Sequence, residues 1–328
     1  MRAVFFAGKG DPEVIEIREL PDPRPSRGEV LVRVRAAGVN RADLLQRRGL
    51  YPPPPGVREE VPGLELAGEV VAVGEGVTAV KPGERVMAIA AGDAQAELAV
   101  VHERMLVRVP ERLSMDEAGG TMEAFLTSHD ALFTLGGLRL GWPVLIHAVG
   151  SGVATAALQL VKAAGATAIG TSRTAEKLER ARSLGLDHAI LVGKDGPSFA
   201  DEVRRLTGGE GVPLVLDFVG GAYTAENVAS LATGGRVVVI GTMAGPKAQL
   251  DLGALMRKRG ELVGTVLRPR AIEEKIRATR SLVKDVLPLL ASGRVAPIVD
   301  AVYPLDRARE AHERMERNES FGKVILSL

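Results

Sequence analysis

The sequence predicts an α/β protein with two domains, one a doubly wound parallel sheet and the other rich in β-strands. Three observations lead to this fold class. The chain has 328 residues, more than one hydrophobic core usually serves. From about residue 144 to residue 265, short apolar runs alternate with amphipathic helical patterns, as in βαβ units. The preceding segment is rich in β-forming residues and in Gly and Pro turns, which favours an antiparallel arrangement.

In the N-terminal part, the segments EVLVRVRAAGV, LAGEVVAVGEGV and GERVMAIAA predict strands, and KPGE and GEG predict turns. This organisation favours an antiparallel barrel or a sandwich. After the parallel sheet, AIEEKIRATRSLVKDVLPLLASG predicts a long helix and IVDAVYPLDRAREAHERMER a strand followed by a helix. The last segment, GKVILSL, predicts a final strand.

The parallel sheet is predicted from six apolar strand candidates, separated by helical patterns such as TAEKLERARSLG and GPSFADEVRRLTGG. The six candidates are Val144–Val149, Thr167–Thr171, His188–Val192, Pro213–Phe218, Arg236–Ile240 and Glu261–Val266. Six strands in this order match the two mononucleotide-binding halves of a doubly wound sheet. Such sheets bind ligands beyond the carboxyl ends of their strands, so the residues that follow each strand are candidate binding residues.

The composition is that of an ordinary globular protein, with 46% hydrophobic and 25% charged residues. Lys and Arg number 42 against 41 Asp and Glu, a net charge of +1 that gives no electrostatic reason to expect nucleic acid or an anionic membrane. No apolar run approaches the roughly 18 residues of a membrane-spanning helix. The first residues lack the apolar region of a signal peptide, so a cytoplasmic location is expected.

The sequence contains no cysteine. This absence excludes disulfides, thiolate zinc sites, iron–sulfur clusters and a cysteine nucleophile. Asparagine occurs only at Asn40, Asn227 and Asn318, and Arg far outnumbers Lys. Avoidance of thermolabile residues with enrichment of charge favours a thermophilic source, whereas a GC-rich genome is the alternative explanation for the arginines.

The stretch VLIHAVGSGVATAALQL has the strand–turn–helix order of a dinucleotide-binding loop, but its glycine pattern is altered. If Gly150 and Gly152 are the first two glycines of G-x-G-x-x-G/A, the third position is Thr155; if Ala154 is the third, the first is Val149. The glycine pattern alone fits a cofactor-binding loop and an ordinary strand-to-helix turn equally well. Because this strand is the first of the six, its position favours a loop that binds a pyrophosphate at the helix N-terminus.

The end of the second parallel strand predicts the choice of cofactor. An NAD enzyme places an acidic residue there, about 20 residues beyond the loop, but GTSRTAEK has no acid before Glu176. Ser172 and Arg173 can bind a 2′-phosphate instead. Lys177 lies three residues after a predicted N-cap, Thr174, where a cation opposes the helix dipole at a cost of up to about 1 kcal/mol. A solvated surface lysine is the alternative interpretation of Lys177, but the three features together favour NADPH.

Asn40 and Tyr51 are the candidate catalytic residues. Asn40 follows AAGV at the end of a predicted strand, and Tyr51 precedes the rigid run Pro52–Pro55. A rigid polyproline segment would hold the Tyr51 phenol in place, so that little conformational entropy is lost when a ligand binds. A turn-forming asparagine and a tyrosine packed on a polyproline segment is the simpler interpretation, and it stays open on sequence alone.

Several segments carry a resemblance to a known family. NRADLLQRRGLYPPPPG and TVLRPR are the most specific, and GLELAGEVVAVGEGV, DFVGG and GGRVVVIG point the same way. Over essentially its whole length the chain resembles the zinc-free quinone oxidoreductase branch of the medium-chain dehydrogenase/reductases, of the p53-inducible quinone oxidoreductase and zeta-crystallin type. The resemblance implies a GroES-like β-barrel catalytic domain of residues 1–122 and 266–328, and an NADPH-binding Rossmann domain of residues 123–265. It also implies quinone or conjugated carbonyl substrates and a homodimer or homotetramer.

The resemblance also implies a set of site residues. The family loop reads A-x-x-S-G-V-G, which places Ser151 and Ala154 in the fingerprint positions. Asn40 and Tyr51 are then expected to be catalytic. The expected cofactor-binding residues are Asn40, Thr127, Ser151, Gly152, Val153, Ser172, Arg173, Lys177, Val219, Gly220, Ile240, Gly241, Thr242, Leu267 and Arg268. The chain departs from the family at Val192, where a tyrosine is usual, and around Gln95 and Leu98, where aromatic residues are usual.

No metal is expected. Zinc-dependent relatives bind the metal with a cysteine and with the histidine of a G-H-E stretch, whereas this chain has GLE at Gly63–Glu65 and no cysteine. Its five histidines show no ligand spacing. Quinones and conjugated carbonyls accept a hydride without a Lewis acid, whereas alcohol oxidation loses its usual route to an alkoxide.

The function expected from these observations is reduction of quinones by NADPH. The first alternative is reduction of enones or enoyl thioesters by the same fold, which an acceptor profile would distinguish. The second, from another class, is a non-enzymatic NADPH-binding protein of the crystallin type or one that binds RNA. Failure to oxidise NADPH with any acceptor would favour this second alternative, and the net charge of +1 counts against RNA.

Overall fold

The computed structural model describes residues 1–193 and 196–328 and divides into two compact units. We call them the terminal unit, which comprises Met1–Leu126 and Leu267–Leu328, and the inserted unit, which comprises Thr127–Val266. No helix in the described parts of the chain is long and apolar enough to span a membrane.

The described residues form fifteen strands. They are β1 (Arg2–Phe6), β2 (Ile15–Glu19), β3 (Glu29–Val39), β4 (Glu65–Val73), β5 (Arg85–Ile89), β6 (Leu98–His102), β7 (Leu106–Arg108), β8 (Pro143–Ile146), β9 (Thr167–Ser172), β10 (His188–Leu191), β11 (Val212–Asp217), β12 (Leu231–Val239), β13 (Glu261–Gly264), β14 (Val299–Pro304) and β15 (Lys323–Ser327).

The same residues form eleven α-helices. They are α1 (Arg41–Arg47), α2 (Met115–Gly119), α3 (Met122–His129), α4 (Gly152–Ala163), α5 (Ala175–Arg182), α6 (Ala200–Leu206), α7 (Tyr223–Ser230), α8 (Leu252–Lys258), α9 (Ile272–Asp285), α10 (Leu287–Ser292) and α11 (Ala308–Glu316). A π-helical segment, Asp130–Leu135, follows α3, and short 3-10 turns occur at Pro12–Val14, Glu103–Met105 and Leu305–Arg307.

The terminal unit is built on a seven-stranded, mostly antiparallel sheet in the order β14-β15-β3-β4-β5-β7, with β6 also paired to β3. Its long central strand β3 buries Val30, Val32 and Val34 by strict alternation, which is why this segment forms a strand with one face in the core. The C-terminal strand β15 pairs antiparallel with β3, Val324 opposite Val39. The end of the chain therefore completes the sheet that carries the first candidate residue, Asn40.

The inserted unit contains a six-stranded parallel sheet in the order β10-β9-β8-β11-β12-β13. In order of appearance this is 3-2-1-4-5-6, the strand order of a doubly wound nucleotide-binding sheet, so the predicted fold class is confirmed. All six predicted strands are present. The largest difference is in β12, which begins at Leu231 rather than Arg236 because Leu231 already pairs with Val212 across a register shift.

Candidate active site

The predicted dinucleotide-binding loop lies at the carboxyl end of β8. It is next to the point between β8 and β11 where the order of the strands in the sheet reverses. Ser151 is the N-cap of α4, and its Oγ accepts a hydrogen bond from the Ala154 backbone N–H at 3.2 Å. Ala154 is fully buried, as the packing position requires. A glycine in β9 provides space beside the loop. A Cβ on Gly170 would lie 2.5 Å from Val149 Cγ1, so the missing side chain at Gly170 leaves room for Val149. The altered fingerprint therefore still forms a tight strand-to-helix turn.

The residues from which a 2′-phosphate site is predicted lie at the end of β9 and at the start of α5. Ser172 is the last residue of β9, and its Oγ accepts from the Thr174 N–H at 3.2 Å, which turns the chain into α5. Arg173 is exposed in this turn, and Lys177 lies half-buried in the first turn of α5, whose N-cap is Thr174 as predicted. Two cations and a hydroxyl therefore stand at the position where an NAD enzyme carries an acid.

The remaining predicted residues of the inserted unit follow β11 and β12 at the same sheet edge. Asp217 ends β11, and its Oδ1 accepts from the backbone N–H groups of Val219 at 2.8 Å and Gly220 at 2.9 Å. Gly220 has a φ of +65°, a backbone conformation that favours glycine. Ile240 and Gly241 both donate their N–H groups to the Asp217 carbonyl, at 2.7 and 3.2 Å, and Thr242 follows them at the surface. Asp217 thus fixes both the loop that follows β11 and the loop that follows β12.

Thr127 is also connected to this edge. Its neighbour Ser128 donates its hydroxyl to the Val153 carbonyl at 2.7 Å, which ties α3 to the first turn of α4. The predicted residues from Ser151 to Thr242 thus lie at or just beyond the carboxyl ends of β8, β9, β11 and β12, and Thr127 directly precedes the residue that is bonded to α4.

In the terminal unit, Asn40 lies at the centre of a buried polar cluster, which we call the Asn40 cluster and which contains Asn40, Asp43, Glu65, Glu123 and Lys323. Asn40 Nδ2 donates to Glu65 Oε1 at 3.2 Å and to the Gly38 carbonyl at 3.3 Å. Lys323 Nζ donates to Asn40 Oδ1, and it lies 2.7 Å from Glu65 Oε1.

Gly38 makes the Asn40 cluster possible. A Cβ on Gly38 would lie only 2.2 Å from Glu65 Oε1, so only glycine lets the Glu65 carboxylate lie against β3. This explains the glycine in the AAGVN segment, which sits inside a strand where glycine is otherwise unfavourable.

The hydrogen-bond inventory of Asn40 limits what its side chain can do. Both Nδ2 protons are engaged, by Glu65 and by the Gly38 carbonyl, and one lone pair of Oδ1 accepts from Lys323. The Asn40 side chain also forms a capping box with Asp43, in which it accepts from the Asp43 backbone N–H. Asn40 is therefore held in one orientation by its neighbours and has no N–H left to donate to a ligand.

Charge balance keeps the Asn40 cluster stable despite its burial. Burial lowers the pKa of Lys323, but Glu65, Glu123 and Asp43 outweigh it and raise that pKa above its ordinary value. Lys323 is only 4% exposed, and its third proton goes to the Val39 carbonyl at 3.3 Å. Glu65 Oε2 accepts from the Glu123 N–H at 2.9 Å. The ammonium is thus a permanent, fully bonded charge beside Asn40.

Asp43 joins the Asn40 cluster to the second candidate. Its carboxylate accepts from the backbone N–H of Asn40 at 2.8 Å and of Gly63 at 3.0 Å, and from Gln95 Nε2 at 3.2 Å. Burial raises the pKa of Asp43 to about 6, although the two backbone hydrogen bonds and the charges of Arg268 and Lys323 lower it. Asp43 therefore interacts electrostatically with both Lys323, beside Asn40, and Arg268, beside Tyr51.

Tyr51 is held by Arg268. The guanidinium carbon of Arg268 lies 5.5 Å from the centre of the Tyr51 ring, and its Nη1 donates to the Tyr51 carbonyl at 3.2 Å. Its Nε donates to the Ala91 carbonyl at 2.6 Å. Burial raises the pKa of Tyr51, with Arg268 opposing the rise and Glu123 adding to it. The Tyr51 phenol is therefore a neutral hydrogen-bond donor at neutral pH.

The partners of Asn40 and Tyr51 in this arrangement, Lys323, Glu65, Asp43 and Arg268, were not predicted as such from the sequence. A signal was present for two of them, because Glu65 and Lys323 are charged residues inside otherwise apolar strand segments, GLELAGEV and GKVILSL. A charge in such a segment requires a buried partner. Their pairing across 258 positions of sequence is visible only in the fold.

The residues at the zinc position of metal-dependent relatives do not fit a zinc ion. Leu64 stands where those enzymes have histidine, and Glu65 is engaged by Lys323, Asn40 and Glu123. In the described parts of the chain, no group of three or more His, Cys, Asp or Glu side chains has the arrangement of a metal site.

Comparison with known proteins shows the class of protein to which this chain belongs. Residues 26–135 match the family model described as an alcohol dehydrogenase GroES-like domain, and residues 152–284 match the one described as a zinc-binding dehydrogenase. These two models and the parallel sheet define a nicotinamide-dependent oxidoreductase.

Relatives that match over the whole chain indicate to which branch of these oxidoreductases it belongs. The chain is 33% identical to a quinone oxidoreductase of Pseudomonas aeruginosa, covering 99% of each chain. It is 31% identical to the synaptic vesicle membrane protein VAT-1 homolog of Rattus norvegicus, covering 99% of this chain and 84% of that one. It is 32% identical to acryloyl-coenzyme A reductase of Metallosphaera sedula, covering 100% of both.

Solved structures agree. A quinone oxidoreductase of Pseudomonas syringae has a TM-score of 0.90 at 30% identity, covering 100% of this chain and 99% of that one. A mycobacterial protein complexed with NADPH has the same TM-score and identity over 100% of both chains, and an NAD-dependent alcohol dehydrogenase has 0.87 at 32%, also over 100% of both. The chain belongs to the medium-chain dehydrogenase/reductase superfamily, in its quinone oxidoreductase branch. The predicted GroES-like and Rossmann folds are thereby confirmed.

Proposed function

We propose that this oxidoreductase is an NADPH-dependent, zinc-independent quinone reductase. The observation that carries the proposal is the Tyr51–Arg268 pair with the Asn40 cluster: a neutral donor and buried charges, with no set of metal ligands among the residues that the structure describes. Such a site suits an acceptor that takes a hydride without a Lewis acid, as quinones and conjugated carbonyls do. The quinone oxidoreductase relatives at 30% to 33% identity support the choice of quinone.

The residues of the inserted unit fit a dinucleotide with a 2′-phosphate. We assign the pyrophosphate to the N-terminus of α4 with Ser151, Gly152 and Val153, where backbone N–H groups and the helix dipole favour an anion. We assign the 2′-phosphate to Ser172, Arg173 and Lys177. When bound, NADPH supplies the hydride that reduces the acceptor.

Further assignments concern the nicotinamide end of the cofactor. They include Thr127, Val219, Gly220, Ile240, Gly241, Thr242, Leu267 and Arg268. Asn40 is also assigned to the cofactor, as a side chain held rigidly by Glu65, the Gly38 carbonyl and Lys323. Because both of its Nδ2 protons are already bonded, we assign it to orienting the cofactor rather than to donating to the acceptor's oxygen.

Tyr51 is the residue we assign to the acceptor. Negative charge develops on the acceptor oxygen as it is reduced, and a donor aimed at that oxygen lowers the barrier. The Tyr51 Oη supplies such a donor because burial keeps the phenol neutral. A reduced quinone is a fairly stable anion, so a hydrogen bond from Tyr51 suffices without full proton transfer.

A second function rests on one of the relatives. Acryloyl-coenzyme A reductase matches the full chain at 32% identity, and this supports reduction of enones or enoyl thioesters as the alternative. The same Tyr51 donor would serve the carbonyl oxygen of such a substrate.

An acceptor screen tests the proposal. NADPH or NADH oxidation is followed with 1,4-benzoquinone, a naphthoquinone, an alkenal and an enoyl-coenzyme A, using wild type and Tyr51→Phe. The proposal predicts the highest kcat/KM for a quinone with NADPH. A higher value for the enoyl thioester supports the alternative, and no turnover with any acceptor supports a non-enzymatic NADPH-binding protein.

A further inference from the structure

A buried histidine in the inserted unit connects three strand ends. His147 directly follows β8 and is fully buried. Its Nδ1 lies 2.8 Å from Thr171 Oγ1, and its Nε2 lies 2.6 Å from Asn227 Oδ1. Asn227 Nδ2 donates to Asp217 Oδ2 at 2.9 Å. His147 thus links β9, which contains Thr171, to β11, which ends at Asp217.

Every proton in this chain of hydrogen bonds can be assigned. Asp217 accepts backbone N–H groups at Oδ1, so it is the acceptor for Asn227 Nδ2 at Oδ2. Asn227 must then present Oδ1 to His147, which requires a proton on Nε2. The unprotonated Nδ1 accepts the Thr171 hydroxyl proton. The chain runs in one direction, from Thr171 through His147 and Asn227 to Asp217, with a neutral imidazole in a single tautomer.

The surroundings of His147 keep the ring neutral and fixed. Phe199 and Tyr223 pack on it, with ring centres 4.8 and 5.0 Å away. Burial lowers the pKa of His147, against the opposing effects of Asp217 and the Asn227 hydrogen bond. An imidazole held this way has no freedom to rotate and no solvent to exchange with.

The ends of this chain of hydrogen bonds are loops that we assign to the cofactor. Thr171 immediately precedes Ser172, at the 2′-phosphate position. His147 begins the turn that leads to Ser151, and Asp217 fixes Val219 and Gly220. We propose that His147 is a positioning residue for NADPH, which sets the spacing of these three loops before the cofactor binds. This inference rests on the proposed cofactor site but concerns residues that do not touch the cofactor in that proposal.

Direct binding of NADPH tests the inference without relying on turnover. His147→Phe keeps an aromatic ring but removes both of its hydrogen bonds, to the Thr171 hydroxyl and to Asn227 Oδ1. We expect its Kd for NADPH, measured by quenching of the intrinsic fluorescence or by calorimetry, to rise about tenfold or more. Thr171→Val removes only the hydrogen bond between Thr171 and His147 Nδ1, and it should raise the Kd by a smaller factor of about two to five. This variant replaces His147→Phe in the test if His147→Phe does not fold.

His312→Phe is the matched control, because His312 is an equally buried histidine of the terminal unit. Its Kd for NADPH should stay within about twofold of wild type. Nitrogen-15 spectra of the histidines should also show His147 with a protonated Nε2 and an unprotonated Nδ1, a signature that Asn227→Leu should remove.

The outcomes separate this inference from the proposed function. Wild type that binds NADPH while His147→Phe and Thr171→Val bind it equally well overturns the inference alone. The same holds if His312→Phe weakens binding as much as His147→Phe, or if the His147 proton is on Nδ1. Wild type that binds neither NADPH nor NADH overturns both proposals.

Discussion

Arg268 holds Tyr51 from two sides, with a hydrogen bond from Nη1 to the Tyr51 carbonyl and the guanidinium 5.5 Å from the centre of the Tyr51 ring. The two residues are separated by 217 positions in the chain. Arg268 thereby fixes the backbone and the ring of the residue that we assign to the acceptor. Because the guanidinium is anchored in turn to the Ala91 carbonyl, Tyr51 has little freedom to move away from its position.

Tyr51→Phe should lower kcat/KM for quinone about ten- to a hundredfold, or about 1.4–2.7 kcal/mol, because it removes one hydrogen bond to the developing negative charge. The Kd for NADPH should change little. Steady-state kinetics with NADPH and 1,4-benzoquinone measure the first value, and fluorescence titration measures the second.

Two comparisons make the Tyr51 prediction specific. Tyr303→Phe, at a half-buried tyrosine of the same unit, should leave kcat/KM unchanged. Arg268→Met should lower kcat/KM in wild type but have a much smaller effect in Tyr51→Phe, because Arg268 acts on the acceptor by positioning the Tyr51 hydroxyl, which Tyr51→Phe has already removed. Full turnover by Tyr51→Phe across the pH range would show that Tyr51 only lines the site.

Removing Lys323 should destabilise the terminal unit strongly. Lys323→Met leaves the buried Glu65 carboxylate without its counter-ion, and we expect a loss of about 3–5 kcal/mol in the free energy of unfolding. Urea unfolding at pH 7 measures this loss. Adding Glu65→Gln should restore more than half of it, whereas Arg35→Met, at an exposed pair with Glu69, should have an effect of about 1 kcal/mol or less. Equal losses from the Lys323 and Arg35 variants would contradict the buried ion pair.

The cofactor preference should depend on the end of β9. We expect NADPH to be preferred over NADH about ten- to a hundredfold, mostly through KM, because the 2′-phosphate is remote from the reacting carbon. Arg173→Ala combined with Lys177→Ala should erase most of this preference. Arg182→Ala, in the last turn of the same helix, should preserve it. Equal KM values for the two cofactors in wild type would refute the assignment.

Acid should destabilise the terminal unit through His312. Burial, with the nearby Arg47, lowers the pKa of His312 from 6.5 to about 3 in the folded protein. Above pH 6.5 neither state binds this proton; below it the unfolded state does and the folded state does not, so the free energy of unfolding falls as the pH falls. The contribution reaches about 3 kcal/mol between pH 6.5 and pH 4.

His312→Asn isolates this contribution, because asparagine can accept from Arg47 in place of Nδ1 and does not titrate. The stability of wild type relative to His312→Asn should decrease by about 3 kcal/mol between pH 7 and pH 4, measured by urea unfolding at each pH. Parallel stability curves for the two proteins would show that folding does not lower the pKa of His312.

The fold was predictable because its signals are local. The alternation of apolar runs and amphipathic helices predicted all six strands of the parallel sheet, but not all of their bounds. β8 ends at Ile146 rather than Val149, and β12 begins at Leu231 rather than Arg236 because Leu231 pairs with Val212 through tertiary contacts. The candidate sites depend on distant partners. Asn40 meets Lys323 across 283 positions, and His147 meets Asn227 across 80, so neither pair leaves a local pattern in the sequence. Only the unusual placement of charged residues in apolar strands indicated that such partners exist.

The central claim is that this chain reduces quinones with NADPH and without zinc. Oxidation of NADPH by the purified protein with 1,4-benzoquinone, before and after exhaustive chelation and with elemental analysis of the same sample, tests it most directly. We predict rapid turnover that chelation does not change, in protein carrying far less than one equivalent of zinc. One equivalent of bound zinc whose removal abolishes turnover, or no quinone-dependent oxidation of NADPH at all, would contradict the claim.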